Sequence, residues 1–96
     1  MLHIINRFPV SEEMLANTSV GDTVVFTDNA VYAVKQSDAD KDPLRKTYSH
    51  INLCVRKADL VLRNISSREL FKGVAVLDDF DYQSALNQNV AIKSWN

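Results

Sequence analysis

A chain of 96 residues with 11 Lys+Arg against 12 Asp+Glu, 46% apolar and 24% charged side chains, has the makeup of one soluble domain of ordinary composition. Its formal net charge of −1 gives no general pull toward nucleic acid or anionic lipid, and its two glycines cannot supply a Walker loop or a G-x-G-x-x-G turn, which excludes nucleotide enzymes of those two classes. The single cysteine excludes an internal disulfide and every multi-cysteine zinc pattern.

Leu2, Ile4 and Ile5 form an apolar first strand that Asn6-Arg7 and then Pro9 bring to an end. Ser11 followed by Glu12, Glu13 and Met14 reads as a helix start, a hydroxyl cap with acids at the positive end of the dipole, and the helix closes near Gly21. Thr23–Thr27 is β-branched and aromatic in the manner of a buried strand, and Asp28-Asn29 stops it and can cap the next helix. Ala30, Val31, Ala33 and Val34 predict that second helix, with Lys35 near its negative end. Residues 36–49 are polar and predict a long exposed loop that Leu44 could pin to the body.

Ile51–Val55 is the third strand, broken at Arg56-Lys57. A helix through Ala58, Leu60, Val61 and Leu62 then ends at Arg63-Asn64, where asparagine tolerates a left-handed cap. Ser66–Phe71 can add a turn, and Val74–Leu77 is the fourth strand. Asp78 or Asp79 caps a helix to about Gln88, and Val90-Ala91-Ile92 with Trp95 supplies a final strand. Continuous apolar strands alternating with helices predict a single domain over residues 1–96, a three-layer α/β/α fold with a mainly parallel sheet of four to five strands. Ligands of such sheets sit beyond the carboxyl ends of the strands, so Asn6-Arg7, Asp28-Asn29, Val55-Arg56 and Asp78-Asp79 should share the functional edge.

No run approaches the roughly 18 apolar residues of a membrane span, and the opening residues lack a secretory pattern, so a cytoplasmic location is expected. A domain of this size buries only about 60 to 65% of its unfolded surface, which favours a partner. Cys54, the strongest nucleophile, has two readings. Arg56, Lys57 and the helix start beyond it would stabilise a thiolate fit for persulfide transfer. Alternatively it is a small buried strand residue, the stronger reading because unpaired cysteines are among the most buried side chains. Asp38, Asp40 and Asp42 have calcium-loop spacing, but Pro43 stands where glycine is required and Ser49 where the twelfth-position Glu belongs. Asp78, Asp79 and Asp81 read as helix-start acids rather than a magnesium site, and His3 and His50 as packed or hydrogen-bonded residues.

The opening Met1-Leu2-His3 with Pro9, the strand end Asp28-Asn29-Ala30-Val31-Tyr32-Ala33, the stretch from Asp59-Leu60 to Arg63, and Trp95 about seventeen residues beyond Asp78 together resemble the TusB/DsrH family of the DsrE/DsrF/DsrH-like superfamily. The likeness runs the whole length. It implies an α/β/α subunit, without a cofactor, of a heterohexamer with TusC-like and TusD-like paralogues. The complex would relay persulfide sulfur, by way of a small acceptor protein, to 2-thiouridine at the tRNA wobble position. Dissimilatory members usually carry a cysteine in the first helix; residues 12–18 have none, which favours the tRNA branch over a sulfur-oxidation complex of the DsrEFH type. In the TusB branch the subunit generally lacks an active cysteine, although Cys54 lies at the strand end where the TusD-like paralogue keeps its own. Asn29 and Asn64 replace the family's usual glycines and keep access to the left-handed conformation.

The first expectation is therefore a noncatalytic interface subunit, with Phe8, Tyr32, Tyr48, Phe71, Phe80, Tyr82 and Trp95 as candidate anchors, Trp95 foremost because a terminal tryptophan has few intrachain neighbours. The rivals are a thiol enzyme carrying persulfide on Cys54 and a standalone ligand-binding or self-associating domain.

Overall fold

The computed structural model describes residues 1–8, 10, 12–35, 50–70, 73–88 and 91–95. The expected loop at 36–49, with its Asp38, Asp40 and Asp42, lies outside the described residues, as do Pro9, the Ser11 cap, Phe71 and Val90. In chain order the elements are β1 (Leu2–Ile5), α1 (Glu12–Ala16), β2 (Thr23–Phe26), a 3₁₀ helix (Asp28–Val34), β3 (Asn52–Arg56), α2 (Lys57–Leu62), a 3₁₀ turn (Ser67–Glu69), β4 (Ala75–Leu77), α3 (Asp79–Gln88) and β5 (Ile92–Trp95). The five strands form one sheet in the order β4-β3-β2-β1-β5, and every pairing is parallel. This is an α/β fold.

Strand side chains alternate between two buried clusters, as a period of two requires. Ile5, Val24, Phe26 and Val55 pack with Met14 of α1, Val31 and Val34 of the 3₁₀ helix, and Leu60 of α2. Leu2, Val25 and Cys54 pack with Ile4, Leu77, and Tyr82 and Leu86 of α3. The division follows from chain direction. From β1 to β4 each crossover steps the same way along the sheet, whereas α3 leads back across it to β5 beside β1. Right-handed crossovers place a helix on opposite faces when the step reverses. Parallel strands buried on both faces explain the unbroken apolar runs of the sequence.

Two local departures have physical causes. The second helix is 3₁₀ rather than α over Asp28–Val34. Its buried residues Ala30, Val31, Ala33 and Val34 form two pairs at spacing three, which a helix of three residues per turn stacks directly, and valine is a poor α-helix former. Thr27 occupies the cap position but makes no side-chain cap bond; its hydroxyl donates to the Ile5 carbonyl at 2.9 Å instead. The left-handed residue of this turn is Asp28, with φ 49°, and not Asn29 as expected from the glycine exchange.

At the end of α2 the expectation holds. Asn64 has φ 54°, the Ile65 amide donates to the Leu60 carbonyl at 3.0 Å, and the Asn64 amide donates to Val61 at 3.2 Å. This is a Schellman closure with asparagine in the usual glycine position, and buried Leu60 and Ile65 share one cluster, the apolar contact that accompanies it. Ser66 and Glu69 form a capping box around the 3₁₀ turn. Asp78 caps α3 by accepting from the Asp81 amide at 2.7 Å.

Candidate functional site

Parallel register places the ends of β1, β2, β3 and β4 along one edge, through the pairs Ile5 with Phe26, Phe26 with Val55, and Arg56 with Leu77. A charged network forms there. Arg56, the last residue of β3, has its guanidinium 5.3 Å from the centre of the Tyr82 ring and within 3.7 Å of Asp79 and 4.0 Å of Asp59. Asp59, in the first turn of α2, is buried, and Arg63 reaches its carboxylate at 3.7 Å from the other side. Arg63 also donates from Nε and Nη2 to the Asn29 side-chain oxygen at 3.3 and 3.1 Å. The stretch from Asp59 to Arg63 thus ties α2 to the turn after β2, with one carboxylate compensating two guanidiniums.

Beside this network the surface is apolar. Open depressions of about 470 and 440 Å³ adjoin α2; both are lined by Lys57, Val61 and Asp78. Val61, which lines both, and Leu62, which lines the smaller, stand 65% and 78% exposed, and Phe80, in the first turn of α3, is 78% exposed. Phe8 and Tyr32, also exposed, meet edge to face at 6.1 Å between ring centres. Among the described residues the exposed aromatic side chains, Phe8, Tyr32 and Phe80, follow the ends of β1, β2 and β4 in the chain. Tyr82 is half-buried beneath Arg56, and Tyr48 and Phe71 lie outside the described residues.

Cys54 points into the cluster under α3 and is buried. Burial pushes its thiol up. Arg56 faces the same side of the sheet two residues on, but its charge is engaged by Asp79, Asp59 and the Tyr82 ring. Asp78, Asp79 and Asp81 take part in capping and in pairing with Arg56. Among the described residues no three His, Cys, Asp or Glu side chains converge as metal ligands.

Trp95, expected to have few intrachain neighbours, is held at close range. It is half-buried, its indole N–H donates to His3 Nδ1 at 3.2 Å, its ring stacks on the imidazole at 6.3 Å, and Lys93 Nζ lies 4.0 Å from its ring centre. The terminal tryptophan therefore has close intrachain neighbours. His3 is 1% exposed, and its Nε2 lies 3.0 Å from Asp22 Oδ2. Because an indole can only donate, Nδ1 is the acceptor and Nε2 carries the proton given to Asp22. Asp22 also accepts from the Ser19 amide at 2.9 Å and pairs with the N-terminal ammonium at 3.0 Å. The Ser19, His3 and ammonium bonds hold its carboxyl well below the usual carboxylate range. Sequence reasoning missed Asp22; its only signal is a carboxylate immediately before a buried strand, and its meaning depends on the register that sets β2 beside β1. His50 is held by Thr18 at 3.3 Å and accepts the Gly21 amide on its carbonyl.

Two of the sequence marks, Met1-Leu2-His3 and Trp95, thus meet across the sheet, and a third, Asp59 to Arg63, builds the edge network. The profile of the family described as DsrH-like protein matches residues 10–90. The chain belongs to the DsrH-like family. Membership carries a sulfur-relay role and work in complexes with DsrE-type and DsrF-type partners. Among solved structures, the protein of unknown function MTH1491 from Methanobacterium thermoautotrophicum is similar, with a TM-score of 0.68 over 98% of this chain and 96% of that one at 17% identity, a likeness of fold. Comparison with curated proteins returns no match. Among the described residues no helix is long and apolar enough to cross a membrane.

Proposed function

We propose that this DsrH-like chain is the noncatalytic, TusB-type subunit of a cytoplasmic TusBCD-like complex that relays persulfide sulfur toward 2-thiouridine at the tRNA wobble position. It assembles with TusC-like and TusD-like paralogues into a heterohexamer, and a partner's cysteine carries the sulfur. The observation that supports this reading is the state of its own thiol. A relay cysteine must present a thiolate to a sulfane sulfur and release it by exchange, whereas Cys54 is buried and its thiol is pushed up. What the chain presents instead is exposed apolar side chains, Val61 and Leu62 lining the depressions along α2 and Phe80 in the first turn of α3. Exposed aromatic and aliphatic side chains around a concavity supply interface anchors.

Co-expression with the paralogues followed by sizing tests the assembly, and intact-mass measurement after incubation with a cysteine desulfurase and cysteine tests the chemistry. The reading expects a mixed hexamer with the sulfur-sized gain on the TusD-like chain. A gain on this chain that Cys54→Ser removes would instead establish the thiol-enzyme alternative.

A further inference from the structure

The chain's single tryptophan is fastened to its most buried histidine by a bond that requires an unprotonated ring nitrogen. We propose that His3 and Trp95 form a proton-operated latch on β5, closed when His3 is neutral and opened when His3 Nδ1 takes a proton from solvent. Among the described residues β5 is an edge strand paired with β1, and Ile92, Lys93 and Ser94 are exposed. Among the described contacts, the side-chain bond that fixes its carboxyl end to β1 is the one from the Trp95 indole to His3, across 92 positions of sequence.

The latch follows from the donor inventory of the three groups. Asp22 is ionised and accepts the Nε2 proton at 3.0 Å, so Nδ1 is the one nitrogen of His3 with a free lone pair, and the indole N–H occupies it at 3.2 Å. A proton added to Nδ1 turns that acceptor into a donor. Two donors then face one another, neither able to accept, and the indole must leave. Proton and indole compete for one lone pair, so uptake and opening favour each other by linkage. The elements around His3 pull in different directions. The turn before β2 supplies the Asp22 carboxylate, which attracts an imidazolium. The N-terminal ammonium on the other Asp22 oxygen and Lys93 of β5 over the Trp95 ring oppose it, while the register neighbour on β2, Val24, carries no charge. His50, in the segment before β3, bonds Thr18 at 3.3 Å.

The test is a pH titration of the full chain between pH 8 and 5, the range in which imidazoles take up protons, read by Trp95 fluorescence and by proton and nitrogen magnetic resonance of the indole N–H and the His3 ring. The expected result is a single-proton transition in which indole and imidazole signals share one midpoint, emission shifts to the red, and hydrogen-exchange protection of residues 93–95, corrected for the intrinsic rate, falls roughly fivefold, the factor carried by one ordinary hydrogen bond. His3→Asn, whose side-chain oxygen replaces Nδ1 as a nontitrating acceptor, should abolish the transition, and His50→Gln should leave it in place. A His3 ring that titrates while the indole signal stays still, a ring that takes no proton in the folded chain over this range, or a transition that survives His3→Asn overturns the proposal. The first two readouts need only the wild-type chain, so the test stands even if the variant does not fold.

Discussion

At Asp22 one carboxylate gathers the start of β1, the turn before β2 and, through His3, the end of β5. Its depressed pKa gives a signed prediction. A carboxyl whose folded value lies below its unfolded value of about 4 contributes stability in full above that value and loses it as pH falls toward the folded one. Urea denaturation of the wild type and Asp22→Asn should therefore show the wild type the more stable at about pH 5, and the gap in midpoint should close progressively below about pH 4. Cys54 yields a second expectation at this scale. With the thiol buried and pushed up, an alkylating reagent at pH 7 should label the folded chain far more slowly than the urea-unfolded chain, as intact mass will record. Cys54→Ser should cost about 1–3 kcal/mol in equilibrium unfolding, because a hydroxyl enters an apolar cluster beside Leu2 and Val25.

Among the elements, α2 is short and owes its definition to its ends. Six residues are too few for a helix to persist on its own, so the Schellman closure at Asn64 and the packing of Leu60 and Ile65 decide where it stops. Asn64→Ala should destabilise the chain by about 1–2 kcal/mol, the penalty for a β-carbon in the left-handed region, while Asn64→Gly should be neutral or slightly stabilising. Chemical denaturation of the pair checks it. The asparagine was readable as a cap from the order of residues, because the preference is local. The 3₁₀ geometry of Asp28–Val34 was not, since apolar residues at spacings of three and four suit both helical periods.

For the whole molecule, Phe26 of the larger cluster is fully buried, and Phe26→Ala should cost about 3–5 kcal/mol, read by the same denaturation. The exposed side chains Val61, Leu62 and Phe80 behave differently because they lie outside the core. The double change Leu62→Asp and Phe80→Asp should move stability by less than about 1 kcal/mol and yet prevent co-purification with TusC-like and TusD-like paralogues; an intact hexamer would show that assembly uses another face.

The strands, their parallel pairing and the α/β class could be read from residue order, through unbroken β-branched runs such as Thr23–Phe26 separated by capped helical stretches, because burial on both faces demands that composition. The shared carboxyl edge came from the same rule. Folding in three dimensions settled the meetings of distant residues: that β5 returns beside β1, that Trp95 docks on His3, that Asp22 closes the chain of bonds, and that Cys54 faces the apolar underside of α3. Local preferences act over a few residues, whereas the bonds from His3 to Asp22 and to Trp95 span 19 and 92 positions and exist only once the sheet has set its register.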